Sequence, residues 1–207
     1  MICGLYKPVA GTVKVKGKET SSYLRAELFS IFSAVFQDIY LLPTTIERNV
    51  SLEKESDTAK VQQVLQLAGM WEKVQQLKYQ EQTVLLKSIR DEAVELSGGE
   101  IQKLALARAL YKGGEIIILD EPTAALDPVA ESEMYQKYSA LTEDRTSIFI
   151  SHRLSSTRFC DRIFFLEHGE IVESGTHDEL MMLNGKYAQM YRIQSKYYQK
   201  DAKEKGL

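Results

Sequence analysis

Two carboxylates, Asp120 and Glu121, close the apolar run Ile116-Ile117-Ile118-Leu119, and Pro122 follows them. Four large apolar residues without alternation predict a strand buried on both faces of a parallel sheet. Open α/β sheets bind their ligands at the carboxyl ends of such strands. A carboxylate at that position can hold a magnesium ion, usually through water, and Asp120 is placed to do so. Glu121 is placed to polarise a water beside it. Proline has no N–H to donate, so Pro122 ends the strand.

Upstream stands a second group that could do chemistry, Leu96-Ser97-Gly98-Gly99-Glu100. Two glycines lead into a predicted helix over 100–110, with Ile101, Leu104, Ala105 and Ala109 on one face. Such an entry leaves the first helical N–H groups uncovered at the positive end of the helix dipole. Ser97, Gly98 and Gly99 thus form a candidate anion site, with phosphate the expected anion.

Other elements must position these groups. Gly11 to Gly17 alternates Val13 and Val15 with lysines and predicts a half-buried strand. Tyr23 to Leu28 predicts a short helix, and Ala34-Val35-Phe36 a short buried strand that stops at Gln37. Asp57 or Ser56 can cap a helix over 58–69, with a stripe of Val61, Val64, Leu65 and Ala68. Trp71, Val74 and Leu77 continue a second helical piece. A helix over 131–141 precedes the strand Ser147 to Ser151, which stops at His152. Ile163 to Leu166 and Ile171-Val172 form a hairpin around His168-Gly169. Thr176 caps the next helix, and the aromatic stripe of the last one (Tyr187, Tyr191, Tyr198) reads as packing. Tyr40, Leu41 and Leu42 are apolar residues of a loop, which is either locally buried or, in the family resemblance given next, exposed toward a partner.

Taken together and in order, these stretches resemble the nucleotide-binding domain of ABC transporters. Leu96 to Glu100 resembles the family signature, Ile118 to Pro122 the Walker B strand, and Ala125-Leu126-Asp127 the D-loop. Gln37 and His152 stand where that family has its Q-loop and H-loop. The resemblance implies an α/β fold: a P-loop NTPase-like (RecA-like) parallel-sheet core with antiparallel β elements and a small α-helical subdomain, here about 41–95. It covers essentially the whole chain, 1–207, as one ATPase domain, and is closest to exporter-type domains.

The resemblance also assigns roles. Glu121 activates water and His152 contacts the γ-phosphate. Asp120 and Gln37 hold Mg2+. Ser97, Gly98, Gly99 and Asp127 face ATP bound by a second nucleotide-binding domain, identical or not. A transmembrane domain, fused or separate, is the other implied partner, which would place the chain on the cytoplasmic face of the cell membrane. There are two departures. The pattern G-x-x-x-x-G-K-[ST] occurs nowhere in the chain, and Met1 to Leu5 resembles the last turn of the helix that follows it. The chain is therefore expected to lack its N-terminal strands and Walker A loop. And Glu100 stands where the family most often has glutamine. Besides an ATP-hydrolysing exporter domain, two alternatives fit: a non-catalytic subunit lending its signature to a partner's ATP, and an inactive remnant.

Composition sets bounds on these readings. With 207 residues, 44% hydrophobic and 27% charged, the chain suits one globular domain. A net charge of −3 argues against a nucleic-acid binder driven by phosphate neutralisation. Cys3 and Cys160 lack metal-ligand spacing and read as reduced thiols. No apolar run approaches the roughly 18 residues that span a bilayer.

Overall fold

A computed structural model describes residues 1–86, 93–123, 128–142 and 145–204. They fall into two compact units, Met1–Ile150 and Ser151–Leu207. Among the described residues no helix is long and apolar enough to cross a membrane.

The first unit is built on a three-stranded parallel sheet. Its strands are β3 (Phe32–Val35), β4 (Ile116–Asp120) and β5 (Thr146–Ile150), in the order β3-β4-β5. Val35 lies opposite Leu119, and Asp120 opposite Ile150. The central strand β4 buries Ile117, Ile118 and Leu119, as a run with neighbours on both edges must. The strand over 147–151, expected to be equally buried, is β5, and it is only half covered. Being last in the sheet order, it leaves Ile150 49% exposed. The strand expected over 34–36 begins two residues earlier, and Phe36 is exposed beyond its end.

The N-terminal strand expected over 11–17 is shorter. β1 (Lys14–Val15) pairs with β2 (Lys18–Glu19), and the chain turns back at Lys16 and Gly17. Both residues take positive φ, 52° and 77°, the conformation of a tight hairpin turn, and this stops the strand. Val15 packs with Leu28, Ile31, Phe32 and Ile118. The following helix, α1 (Arg25–Ile31), starts two residues later than expected and runs straight into β3. Tyr23, outside it, donates its hydroxyl to the Val15 carbonyl at 2.8 Å.

Between β3 and β4 come α2 (Ile46–Ser51), α3 (Thr58–Leu67), α4 (Trp71–Gln75) and α5 (Gly98–Lys112). Asp57 caps α3 by accepting from the Lys60 N–H, and Val61, Val64, Leu65 and Ala68 are buried, the expected stripe. The long α5 exceeds its single expected face. Leu104, Ala105 and Ala109 are buried, but so are Gln102, Leu106, Ala107, Leu110 and Tyr111. The reason is that α5 packs against α2 and α3 as well as β3. After β4 comes α6 (Pro128–Thr142), with proline at the first helical position.

The second unit holds the hairpin of β6 (Ile163–Glu167) and β7 (Glu170–Gly175), then α7 (His177–Leu183) and α8 (Lys186–Glu204). His168 and Gly169 form the hairpin turn, both with positive φ. Thr176 caps α7 reciprocally with Glu179. Leu154, Ile163, Leu180 and Tyr187 form the core. Tyr187 is fully buried and its hydroxyl contacts both Thr157 Oγ1 (2.6 Å) and His177 Nδ1 (2.8 Å), so its place in the stripe is packing.

Two outcomes are expected. A Cβ at Gly114 would sit 2.6 Å from the Phe32 carbonyl carbon and the Ser33 nitrogen, both backbone. The Gly114 N–H also donates to the buried Ser33 hydroxyl at 2.8 Å. Gly114→Ala should therefore destabilise the chain by about 1–3 kcal/mol in urea denaturation. In the second unit, burial and then Arg158 push His177 below the ordinary histidine value, against the pull of Asp178. The unfolded chain then takes up a proton before the folded one as pH falls. Stability is full above about pH 6.5 and declines as pH drops through the folded value. A pH series of thermal melts should show that decline, and His177→Gln should flatten it.

Candidate functional site

The carboxyl ends of β3 and β4 bring three of the expected residues to one end of the sheet. Val35 and Leu119 are register partners, so Gln37 and Glu121 each lie two residues past a matched pair. Gln37 is exposed, and Asp120 and Glu121 are half exposed. Glu121 turns the chain sharply. Its φ is 46°, a conformation uncommon for a residue with a Cβ. Its N–H donates to the Ile150 carbonyl at 2.9 Å, which extends the ladder with β5 by one bond. The turn is then held from α6. Thr123 is buried, with its hydroxyl 2.9 Å from the Tyr135 hydroxyl and donating to Glu131 Oε1 at 3.3 Å. The Tyr138 hydroxyl reaches the Pro122 carbonyl at 3.5 Å. Burial pushes the Tyr138 phenol well above its ordinary value, so it stays a donor.

Ser97, Gly98 and Gly99 form the second part, at the start of α5. Ser97 is the cap, and the glycines are the first two helical residues. The Ser97 hydroxyl accepts from the Glu100 N–H at 3.3 Å. The N–H groups of Gly98 and Gly99 have no acceptor among the described residues, and Ser97 and Gly98 are exposed. An oxygen that accepts keeps its own hydrogen to donate, so three donors at this end have no acceptor among the described residues. The expectation that all the first amides lie uncovered is thus narrowed to two amides and a hydroxyl.

Glu100 does not simply carry its charge toward that end. Its Oε2 accepts from the Ser97 N–H at 2.8 Å, closing a capping box, and its Oε1 lies 3.3 Å from Lys73 Nζ. Burial alone would raise the carboxyl, but the Ser97 hydrogen bonds and Lys73 hold it below the usual range. The carboxylate is therefore ionised, tied back along its own helix, and partly neutralised.

His152 belongs to the second unit, just past the end of β5. It is exposed, and its carbonyl accepts from Gln194 Nε2 at 2.8 Å. Asp127 lies outside the described residues, as do Ala125 and Leu126. Lys73, Thr123 and Tyr135 escaped the sequence reading. Lys73 meets Glu100 only in the fold and leaves no local signal. Thr123 directly follows Asp120-Glu121-Pro122, and that adjacency was a signal available in the sequence.

Among the described residues no three His, Cys, Asp or Glu side chains gather as a metal centre. A pair of strand-end carboxylates with a nearby amide fits magnesium of the kind held by one or two carboxylates plus phosphates and water. It does not fit a metal caged by protein alone.

Three comparisons bear on this arrangement. The family model described as "ABC transporter" matches residues 1–124. An ATP-dependent lipid A-core flippase of Burkholderia pseudomallei (strain 1710b) is 39% identical over 197 residues, covering 95% of this chain and 32% of the flippase. A flippase of the same description from Cupriavidus pinatubonensis is 39% identical over 193 residues, with 91% and 32% covered. The chain thus spans about a third of the length of the curated relatives it matches. Among solved structures, a bacterial Atm1-family ABC exporter with ATP bound superposes with a TM-score of 0.84 at 29% identity. That match covers 94% of this chain and 34% of the exporter chain.

Ser97 separates structure from binding. Ser97→Ala should cost about 1 kcal/mol of stability, read by urea denaturation, because the Glu100 N–H loses its acceptor. Ser97→Asp caps equally well and should keep that stability, while setting a charge against any phosphate.

Proposed function

The chain belongs to the ABC transporter family, as a nucleotide-binding domain of exporter type, and from that premise we propose how its residues use ATP. The observation that carries the reading is the capped start of α5, where the Gly98 and Gly99 amides and the Ser97 hydroxyl proton have no acceptor among the described residues. Donors fixed in this way suit the γ-phosphate of ATP held by a second nucleotide-binding domain. Each hydrogen bond to a charged oxygen contributes roughly 1.5–3 kcal/mol, so ATP joins the two domains while it is intact.

At the sheet end, Asp120 and Gln37 would hold magnesium together with the phosphates. Magnesium held by them would supply charge neutralisation at the phosphate oxygens. Glu121 then takes the proton of the attacking water, from its place in the left-handed turn that ends the strand. His152 orients the γ-phosphate, and Asp127 meets the opposing domain. Once the bond is cut, phosphate beside a newly negative product no longer bridges the two faces, and they part. Opening and closing would drive a transmembrane domain, fused or separate, with this domain on the cytoplasmic face of the membrane. The exposed Tyr40 and Leu42 are the surface proposed for that contact; Leu41 is half buried. The domain would span 1–207, with 41–95 as its helical subdomain. The relatives named as flippases and the Atm1-family exporter support transport as the purpose. What is moved is not proposed.

A second reading keeps the same signature end and drops the chemistry. The 207 residues contain no G-x-x-x-x-G-K-[ST] run, so by themselves they could lend Ser97, Gly98 and Gly99 to a partner's ATP without cleaving their own. The two readings differ at Glu121. Where a phosphate loop is supplied, Glu121→Gln should lower ATP turnover by about 10²–10⁴-fold with nucleotide affinity kept. Full turnover in that variant would remove the role given to Glu121. The 207-residue polypeptide alone should bind ATP weakly and not turn it over. Saturable, magnesium-dependent turnover that Glu121→Gln abolishes would overturn that expectation.

A further inference from the structure

Arg108 sits in the third turn of α5, half buried, and reaches across to the segment that follows Gln37. Its Nε donates to the Asn49 carbonyl at 2.8 Å, Nη1 to the Tyr40 carbonyl at 3.2 Å, and Nη2 to Asn49 Oδ1 at 3.5 Å. Asn49 is fully buried and works on the same loop. Its Oδ1 accepts from the Leu42 N–H at 2.8 Å, and its Nδ2 donates to the carbonyls of Leu42 at 2.9 Å and Thr45 at 3.1 Å. One guanidinium and one carboxamide thus fix the loop backbone from Tyr40 to Thr45. Tyr40 and Leu42 themselves remain 80% and 47% exposed.

This cluster is a costly way to pack. Burial lowers the Arg108 pKa, which means the charge is being desolvated. No carboxylate pairs with Arg108 among the described residues. A partly buried cation with no carboxylate partner loses hydration without a Coulombic return, so an apolar side chain of similar volume can pack there more stably. What the apolar side chain cannot do is fix several carbonyls at once, which the planar fork does. A rigid helix then joins Arg108 to Gly99, nine residues and about 14 Å away.

We propose that Arg108 is a positioning residue that couples the Tyr40–Leu42 loop to the start of α5, so that displacement of the loop by a docking partner reaches the Gly98 and Gly99 amides. The consequence for ATP rests on reading those amides as phosphate-facing; the coupling itself does not.

The test uses the 207-residue chain labelled with 15N and no nucleotide. Pro43→Gly loosens the loop without touching Arg108 or Asn49. It should shift the amide resonances of Gly98 and Gly99 in the parent, and that response should be lost when Arg108→Met is added. Arg108→Lys keeps the charge without the fork and should lose the response too; it also serves if the methionine variant does not fold. A merely structural arginine would lower the melting temperature and leave the response to Pro43→Gly in place. Glycine amides that stay still in the parent, or that move equally in both Arg108 variants, overturn the coupling. Because phosphate plays no part in the readout, a failure here and a failure of the nucleotide reading are told apart.

Discussion

The structure depends on one strand being buried on both sides. β4 has a parallel neighbour at each edge and covers at its faces, so Ile117, Ile118 and Leu119 can lie there and nothing charged can. Charge is tolerable only where the strand runs out. Asp120 and Glu121 are at that point, half exposed, and the carboxylates owe their place to the apolar run before them. The same constraint acts at the other end of β4. Gly113 turns the chain out of α5 with a φ of 70°, and Gly114 lets the backbone pass against Phe32 and Ser33. The helix that presents Ser97 and the strand that presents Asp120 are therefore tied by a turn with no room for a side chain.

Much of this was legible in the sequence because it depends on local physics. The non-alternating run over 116–119, the caps at Asp57 and Thr176, and the apolar stripe of α3 each follow from a few neighbouring residues. Where local signals compete with tertiary placement, the sequence reading was less accurate. The pattern of β5 resembles that of β4, yet its edge position leaves it half covered. A single stripe on α5 understated its burial, because periodicity reports one face and this helix packs on several elements. Lys73, Arg108 and Asn49 could not be found at all. Each acts on residues many positions away, and no period or spacing encodes such pairs.

Glu100 shows how geometry can change the meaning of a residue. At the first turn of α5 a carboxylate suits the helix dipole, and near a phosphate it is repulsive. The structure answers both demands with one arrangement. The Ser97 N–H takes one oxygen, Lys73 stands beside the other, and two amides and a hydroxyl proton are left without an acceptor among the described residues. Lys73 is 42% exposed and Glu100 23%, so solvent and salt weaken the pair. Compensation of the carboxylate is therefore partial, and it comes mainly from the backbone hydrogen bond.

The strained turn at Glu121 completes the same logic. A non-glycine residue at positive φ costs of order 1–3 kcal/mol and persists only where its surroundings fix it. Here they do so from both sides: the Ile150 carbonyl holds the Glu121 N–H, and Thr123 is anchored to Tyr135 and Glu131 of α6. A relaxed β conformation would continue the strand past Asp120. The left-handed turn instead ends the ladder one bond past Asp120. The roles proposed for the two carboxylates, one toward a cation and the other toward a water, both need the strand to stop where it does, with charge allowed only beyond the buried run. The strained turn persists because the buried hydroxyl network beyond it, Thr123 with Tyr135 and Glu131, holds the chain that leaves the strand.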